Sequence, residues 1–388
     1  MELLLKILFF LNGFIIFWAM IGYPLSISIL GKIYKNRENK KDYTHQPTVT
    51  IMVVAHNEEK VIREKLENLL EIDYPKNKFE ILVASDNSTD KTNELVKKFI
   101  QDHPEYKIRL YEVKERKGKT NAQNEAQKTV TTEYLVMTDA NSLLEKNAIK
   151  ELMASFTSTE IAYVTGKLVF VNTNTSDISN AESNYWNNEL TIREIESKIQ
   201  TITAGNGALY ACRTRDYYDF DPIYSHDSSM PIYYALKGKR AIANHDAIAY
   251  EKAGENVEDE FKRKVRMNRV LLKHIIPDIR IFNVIKYKWF SYFYFGHRTC
   301  RYLLWISHLF LLVANAFLII DHWFYLCVFL FQIIFYLLAL IKIIVKSESK
   351  LLTMIYYYCV TLSAQWVGIY NTLTGKSKPF WEKAESTR

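Results

Sequence analysis

Asp139 and Asn141 place two oxygen donors two residues apart, so both can reach one cation. Mg²⁺ is typically held by one or two carboxylates plus substrate phosphates, which makes the pair suited to neutralising a leaving diphosphate. Asp86, within Ser85-Asp86-Asn87-Ser88-Thr89-Asp90, is a candidate for a base or ribose contact, or for help with the metal. Lys119, within Arg116-Lys117-Gly118-Lys119, is a candidate for phosphate. Each cluster has a plainer alternative: Ser88–Asp90 as a helix cap, Lys117–Lys119 as an exposed turn. The Gly-Lys pair lacks the G-x-x-x-x-G-K spacing of an ATP-binding loop. Further on, Asp227 in Ser225-His226-Asp227 is either a general base toward a hydroxyl or an N-cap for the run that follows. Gly205-Asn206-Gly207-Ala208 either brings backbone close to a ligand or only turns a corner.

These residues need elements to hold them together. Thr48–Ala55, Glu80–Ala84, Ile108–Val113 and Tyr134–Thr138 read as strands, rich in β-branched and apolar residues. Between and after them, Glu58–Leu70, Thr89–Gln101, a segment starting Asn121–Lys128, and Lys146–Phe156 read as helices. Alternation of this kind implies a parallel α/β sheet with helices on both faces. In such sheets ligands bind beyond the carboxyl ends of the strands. Each of the four strands is followed by one polar cluster: His56-Asn57-Glu58-Glu59, Ser85–Asp90, Arg116–Asn121 and Asp139–Ser142. Four clusters in register outweigh the bland reading of any one.

The chain has 388 residues and a formal net charge of +7, with the basic residues clustered. Lys32, Lys35, Arg37, Lys40 and Lys41 form one run; Lys262, Arg263, Lys264, Arg266 and Arg269 form another. Clustered rather than domain-wide charge, with no nucleic-acid module, argues against nucleic acid and for membrane lipids or phosphates. Cys212, Cys300, Cys327 and Cys359 make no C-x-x-C pair, which excludes a disulfide framework and a cysteine zinc site. Residues 7–31 are apolar enough to cross a bilayer, which takes about 20 residues. The basic run after them places residue 32 onward in the cytoplasm. Leu303–Ile320, Trp323–Ile341 and Leu351–Tyr370 are expected as three further spans, with Asp321–His322 as an outer turn and Lys342–Lys350 as an inner one. Ile281–Phe295 is expected as an interfacial helix. Three spans would leave outside a tail that carries Lys376, Lys378, Lys383 and Arg388, against the charge rule, unless one segment is re-entrant.

The succession VVAHNEE, ASDNSTDKT, RKGKTNA, TDANS, GNGALYA, HDSSMP, RKVRMNR resembles the family 2 glycosyltransferases. More narrowly it is similar to their membrane-integrated branch, with cellulose, hyaluronan and poly-N-acetylglucosamine synthases and shorter bacterial relatives. The resemblance covers roughly 48–275. It implies a GT-A (Rossmann-like) α/β fold, a UDP-sugar donor, Mg²⁺ or Mn²⁺, and inversion at the anomeric carbon. By position it assigns Asn57 and Glu58 to the first nucleotide loop, Asp86 to the uridine and Lys119 to the diphosphate. Asp139 falls on the first aspartate of the D-x-D metal motif, where Asn141 replaces the second. Asp227 falls on the general base, and His226 stands where the family usually has an acidic residue. Gly205, Asn206 and His226 fall on the acceptor side. Arg263-Lys264-Val265-Arg266-Met267 stands at the family's Q-x-x-R-W: Arg266, with Arg263, keeps a basic role on the diphosphate, while the stacking tryptophan needed for processive synthesis is gone.

The organisation implied is an anchor at 1–35, a catalytic domain at 45–280, an interfacial region at 281–302, three spans within 303–372 and a basic tail at 373–388. The activity implied is transfer from a UDP-sugar to a glycan or lipid-linked acceptor at the cytoplasmic face, for extracellular or capsular polysaccharide. A lipid-phosphate monosaccharide transferase is the alternative, and a non-catalytic channel or scaffold the remaining one. Oligomeric state is not legible.

Overall fold

The computed structural model describes residues 1–172, 177–254, 257–345, 347 and 349–380. Lys346 and Glu348 of the expected inner turn lie outside the described residues, as do Lys383 and Arg388. At the centre is a sheet of β1 (Val49–Ala55), β2 (Phe79–Ser85), β3 (Ile108–Glu112), β4 (Tyr134–Asp139), β5 (Leu143–Leu144), β6 (Ile161–Phe170), β7 (Leu209–Arg213) and β8 (Arg240–Glu251). Their spatial order is β3-β2-β1-β4-β7-β6-β8-β5.

Strand β1 is buried along its whole length. Val49, Ile51 and Val53 point into one core with Ile62, Leu66 and Leu69 of the Ile62–Leu70 helix and Val96 and Phe99 of the Thr92–Asp102 helix. Met52 and Val54 point into the other, with Ala122 and Ala126 of the Lys119–Gln127 helix and Met230 and Tyr234 of the His226–Leu236 helix. A strand covered on both faces reads as a continuous apolar run. The four strands expected from the sequence are present and mutually parallel.

The remainder of the sheet, which the four expected strands did not cover, is mixed. β7 pairs antiparallel with both β4 and β6, β8 runs parallel to β6, and β5 runs antiparallel to β8. The consequence is functional. An antiparallel β7 brings its beginning, not its end, to the edge where β1, β2 and β4 finish, since Leu209 pairs with Thr138. The Gly205–Ala208 turn therefore arrives at the same edge as Asp139.

The N-terminal helix runs from Glu2 to Ile33, with a π-helical stretch at Trp18–Gly22, and is long and apolar enough to cross a membrane. Of the three expected C-terminal spans, Trp323–Val345 meets the same condition. Leu304–Leu318 has 15 residues and meets it only together with Trp289–Tyr302, across a bend of 62°. At about 1.5 Å per residue, it is short of a hydrocarbon core of about 30 Å. Lys350–Leu373 does not meet it and instead packs on the catalytic domain: Tyr357 donates to Glu260 at 2.9 Å and Thr372 to the Arg269 carbonyl at 2.8 Å. The tail is thus not carried away from the domain. The Arg269 guanidinium donates to the Pro379 carbonyl at 3.0 Å, and the Arg116 guanidinium lies 4.8 Å from the Phe380 ring centroid. Of the expected interfacial segment Ile281–Phe295, the part from Trp289 belongs to a helix that runs to Tyr302, with Phe290, Phe293, Tyr294 and His297 buried, while Val284, Ile285 and Phe295 are exposed.

Candidate active site

Asp86, at the end of β2, is buried, and both its carboxylate oxygens are engaged. One accepts from the Lys117 amide at 3.1 Å and the other from the Gly118 amide at 2.9 Å. The second polar cluster therefore shapes the third, and Gly118 can take the required φ of +95° because it has no side chain to clash. The first cluster is tied to the second in the same way. The amides of Asn57, Glu58 and Glu59 donate to Ser88 Oγ, Thr92 Oγ1 and Asp90 Oδ2. Asn57 Oδ1 accepts from the Thr89 amide at 2.7 Å. Asn57 thus serves as a clamp between loops. Asp90 Oδ1 also accepts from the Thr92 amide at 2.9 Å, a bond that closes the turn leading into the Thr92–Asp102 helix, whose cap position is Lys91.

Lys119 opens the next helix and its ammonium sits on the Asp139 carboxylate. Both lie within reach of Gly207. A Cβ at Gly207 would meet Lys119 Nζ at 3.0 Å, Asp139 Oδ2 at 3.3 Å and Asp227 Oδ2 at 3.9 Å. The three ionisable groups expected to act on donor and acceptor thus converge on one point, and the missing side chain keeps that point open.

Asp227 lies in the first turn of the His226–Leu236 helix, half-buried, with Ser225 at the cap position. Its backbone carbonyl accepts from the Gly205 amide at 2.8 Å, which fixes the glycine turn against this helix. A Cβ at Gly205 would lie 1.9 Å from Tyr163 Oη, so the close approach excludes any larger residue. Asn206 is buried and spends its side chain on the turn, donating to the Gly166 carbonyl at 2.7 Å and accepting from the Leu209 amide at 3.2 Å. His226 is buried beneath Asp227. Its Nδ1 pairs with Gln123 Oε1 at 2.8 Å and its Nε2 with Tyr217 Oη at 2.9 Å. Burial, then the Lys119 charge, push its pKa down to about 3, so it is a neutral pin under the site.

Facing the last helix, Arg263 clasps buried Glu260 at 2.7 and 3.0 Å. Burial alone would raise the Glu260 pKa, but Arg263 and Lys264 hold it down at about 2. A cavity of about 870 Å³ joins these parts. It is lined by Glu58, Asp86, Lys119, Asp139, Asn141, Gly205, Asn206, His226, Asp227, Arg263 and Arg266, and among the residues expected from sequence only Asn57 is not in its wall. Gly207, Arg116 and Arg269, which the sequence pointed to only as members of their clusters, also line it, as do Gln123 and Glu251, which sequence reasoning missed. Glu251 ends β8, and only the three-dimensional pairing shows that β8 finishes at this edge.

Among the described residues no three His, Cys, Asp or Glu side chains cluster as a self-sufficient metal site. The Asp139 carboxylate, beside the space that Gly207 leaves open, and Asn141, in the wall of the same cavity, supply the donor types of the alternative arrangement, a divalent cation completed by substrate phosphates.

Residues 50–220 match the family model described as glycosyl transferase family 2. The probable glycosyltransferase YdaM of Bacillus subtilis (strain 168) is 32% identical over 176 residues, 42% of this chain and 41% of that protein. The β-monoglucosyldiacylglycerol synthase of Nostoc sp. (strain PCC 7120) is 26% identical over 164 residues, 42% of this chain and 33% of that protein. The chain thus spans less than half the length of these curated relatives. The mannosyltransferase PcManGT from Pyrobaculum calidifontis, solved in complex with GDP-Man and Mn²⁺, superposes with a TM-score of 0.70 over 94% of this chain and 99% of that one, at 22% identity. That likeness is one of fold, and the fold is GT-A.

Proposed function

We propose, from the premise that residues 50–220 are a family 2 glycosyltransferase domain and the chain a hexosyltransferase, that it inverts the donor sugar in a single displacement. The donor in this reading is a UDP-sugar and the acceptor a glycan or lipid-linked hydroxyl at the cytoplasmic membrane face. The product would serve an extracellular or capsular polysaccharide. The observation that carries the reading is the convergence of Lys119, Asp139 and Asp227 on Gly207.

Asp227 takes the proton from the acceptor hydroxyl as its oxygen attacks the anomeric carbon. The bond from that carbon to the diphosphate breaks on the opposite face. Lys119 and Arg266, with Arg263 beside them, offer positive charge to the departing diphosphate. Asp139 and Asn141 would hold Mg²⁺ or Mn²⁺, which supplies further neutralisation of that charge when bound. Asp86 shapes the Lys117–Gly118 turn on the uridine side. Gly205, held to Asp227 through its amide, faces the acceptor.

Between the two acceptor classes, the cavity wall favours the lipid-linked one. Arg298 and Tyr302 of the bent helix, with Val367, Gly368 and Asn371 of the last helix, carry the cavity to the membrane-side elements. The test is UDP release from UDP-glucose, UDP-galactose, their N-acetyl forms and UDP-glucuronate, each with Mn²⁺, Mg²⁺ or EDTA. One donor turned over only with metal supports the reading; release from none contradicts it.

A further inference from the structure

We propose that Lys65 is a positioning residue for the metal-binding turn, its Nζ holding both ends of Thr138–Ser142 so that Asp139 and Asn141 face one point. The proposal rests on the reading of Asp139 and Asn141 as metal ligands.

Lys65 lies within the Ile62–Leu70 helix, on the face that buries Ile62, Leu66 and Leu69, and is itself fully buried. An ammonium is expensive there unless its donors are met. Its Nζ donates to Thr138 Oγ1 at 2.9 Å and to the Ser142 backbone carbonyl. Thr138 is the residue before Asp139, and Ser142 the residue after Asn141. One side chain therefore brackets the three residues that present the ligands. The turn is closed from within by the Ser142 amide, which donates to the Asp139 carbonyl at 3.2 Å. It is fastened on its far side by Ser142 Oγ, which donates to Glu251 in the cavity wall. Burial lowers the Lys65 pKa to about 7, against the opposing pull of the Asp139 and Glu251 charges, and the amine donates these hydrogen bonds in either protonation state. An unbranched apolar residue of similar length would fill the same space without that desolvation, so packing does not account for a lysine here. Its place beneath the turn does.

Groups that orient metal ligands typically change metal affinity about 10- to 100-fold when removed. The test uses the purified full chain with UDP present, counting free Mn²⁺ by its EPR signal and following thermal unfolding in parallel. Lys65→Met is expected to weaken Mn²⁺ binding by about that factor, with UDP affinity in EDTA unchanged. Thr138→Val, which removes one acceptor and keeps the side-chain shape, is expected to weaken Mn²⁺ in the same direction by less; it decides the matter if Lys65→Met does not fold. A merely structural lysine would lower the unfolding midpoint and leave the Mn²⁺ affinity of the folded protein where it was, which would overturn the proposal. Asp139→Asn is the control. If it too binds Mn²⁺ like wild type, the metal assignment itself is wrong; if it alone loses Mn²⁺, only the role of Lys65 is.

Discussion

The Lys119 ammonium rests on the Asp139 carboxylate, so the group expected to meet the diphosphate and the group expected to meet the metal are paired with each other. Both are partly shielded, with side chains 19% and 30% exposed. A cation arriving at Asp139 competes with Lys119, and Lys119 released from Asp139 is free to turn to phosphate. Lys119→Met is therefore expected to act in two directions. Mn²⁺ binding in the absence of nucleotide should tighten, because a competing charge is gone. Turnover should fall by about 10- to 100-fold, the worth of about 1.5–3 kcal/mol for a hydrogen bond to a charged group. Mn²⁺ titration and steady-state kinetics on the same preparation read both signs.

Gly207→Ala is expected to abolish most activity without unfolding the protein. The added methyl would sit 3.0 Å from Lys119 Nζ and 3.3 Å from Asp139 Oδ2, tighter than ordinary contact on both sides. It would push apart the pair at the centre of the site. Unchanged circular dichroism with a turnover loss of about 10-fold or more, the scale of a misplaced reacting group, is the expected outcome.

His226 sets a pH dependence of stability. Its pKa in the folded protein is lowered to about 3, against an ordinary value of 6.5. Between those values the unfolded chain binds the proton and the folded one does not, so stability falls as pH drops from about 6.5 toward 3. His226→Gln cannot take up that proton. The gap in unfolding midpoint between wild type and His226→Gln should shrink from pH 7.5 to pH 5, measured by thermal denaturation at both.

The contact of Pro379 with Arg269 places the tail with the catalytic domain. With the Glu2–Ile33 helix as a span, residue 2 and residue 377 should lie on opposite sides of the membrane. In a cysteine-free background, Glu2→Cys and Ser377→Cys are expected to react with an impermeant maleimide from opposite sides of sealed vesicles. Lys117→Cys should label with Ser377→Cys.

The first half of the sheet was legible because β1, β2 and β4 are buried on nearly all positions and leave largely apolar runs, and each of the four strands, β3 included, ends in a polar cluster. The second half was not. In β8 the run is interrupted by Asn244-His245-Asp246, which falls where the β6–β8 register shifts between Thr165 and Lys167. Nothing local shows that β7 is antiparallel, so the reason Gly205–Ala208 meets Asp139 appears only in three dimensions. Lys65 was hidden by its type. In Arg63-Glu64-Lys65-Leu66-Glu67 it reads as one more surface charge, although its spacing from Ile62 and Leu69 puts it on the apolar stripe. The last helix, expected as the third C-terminal span, carries a mixed signal. It is aromatic and long enough to span, yet Thr353, Gln365 and Gly368 are buried on its packed side. Asp86, Lys119 and Asp139 were singled out because four clusters in register point to one edge, which no single motif would have justified; the roles of Arg263 and Arg266 rest on the family resemblance.

The most direct measurement concerns Asp227. Asp227→Asn keeps the shape of the site and leaves the Gly205 amide its backbone partner, but removes the base. In single-turnover assays with the donor identified by UDP release, transfer should fall by about 10²- to 10⁴-fold, the range contributed by a positioned base, while UDP binds as in wild type. Transfer at near-wild-type rate by the folded variant would contradict direct displacement with Asp227 as base.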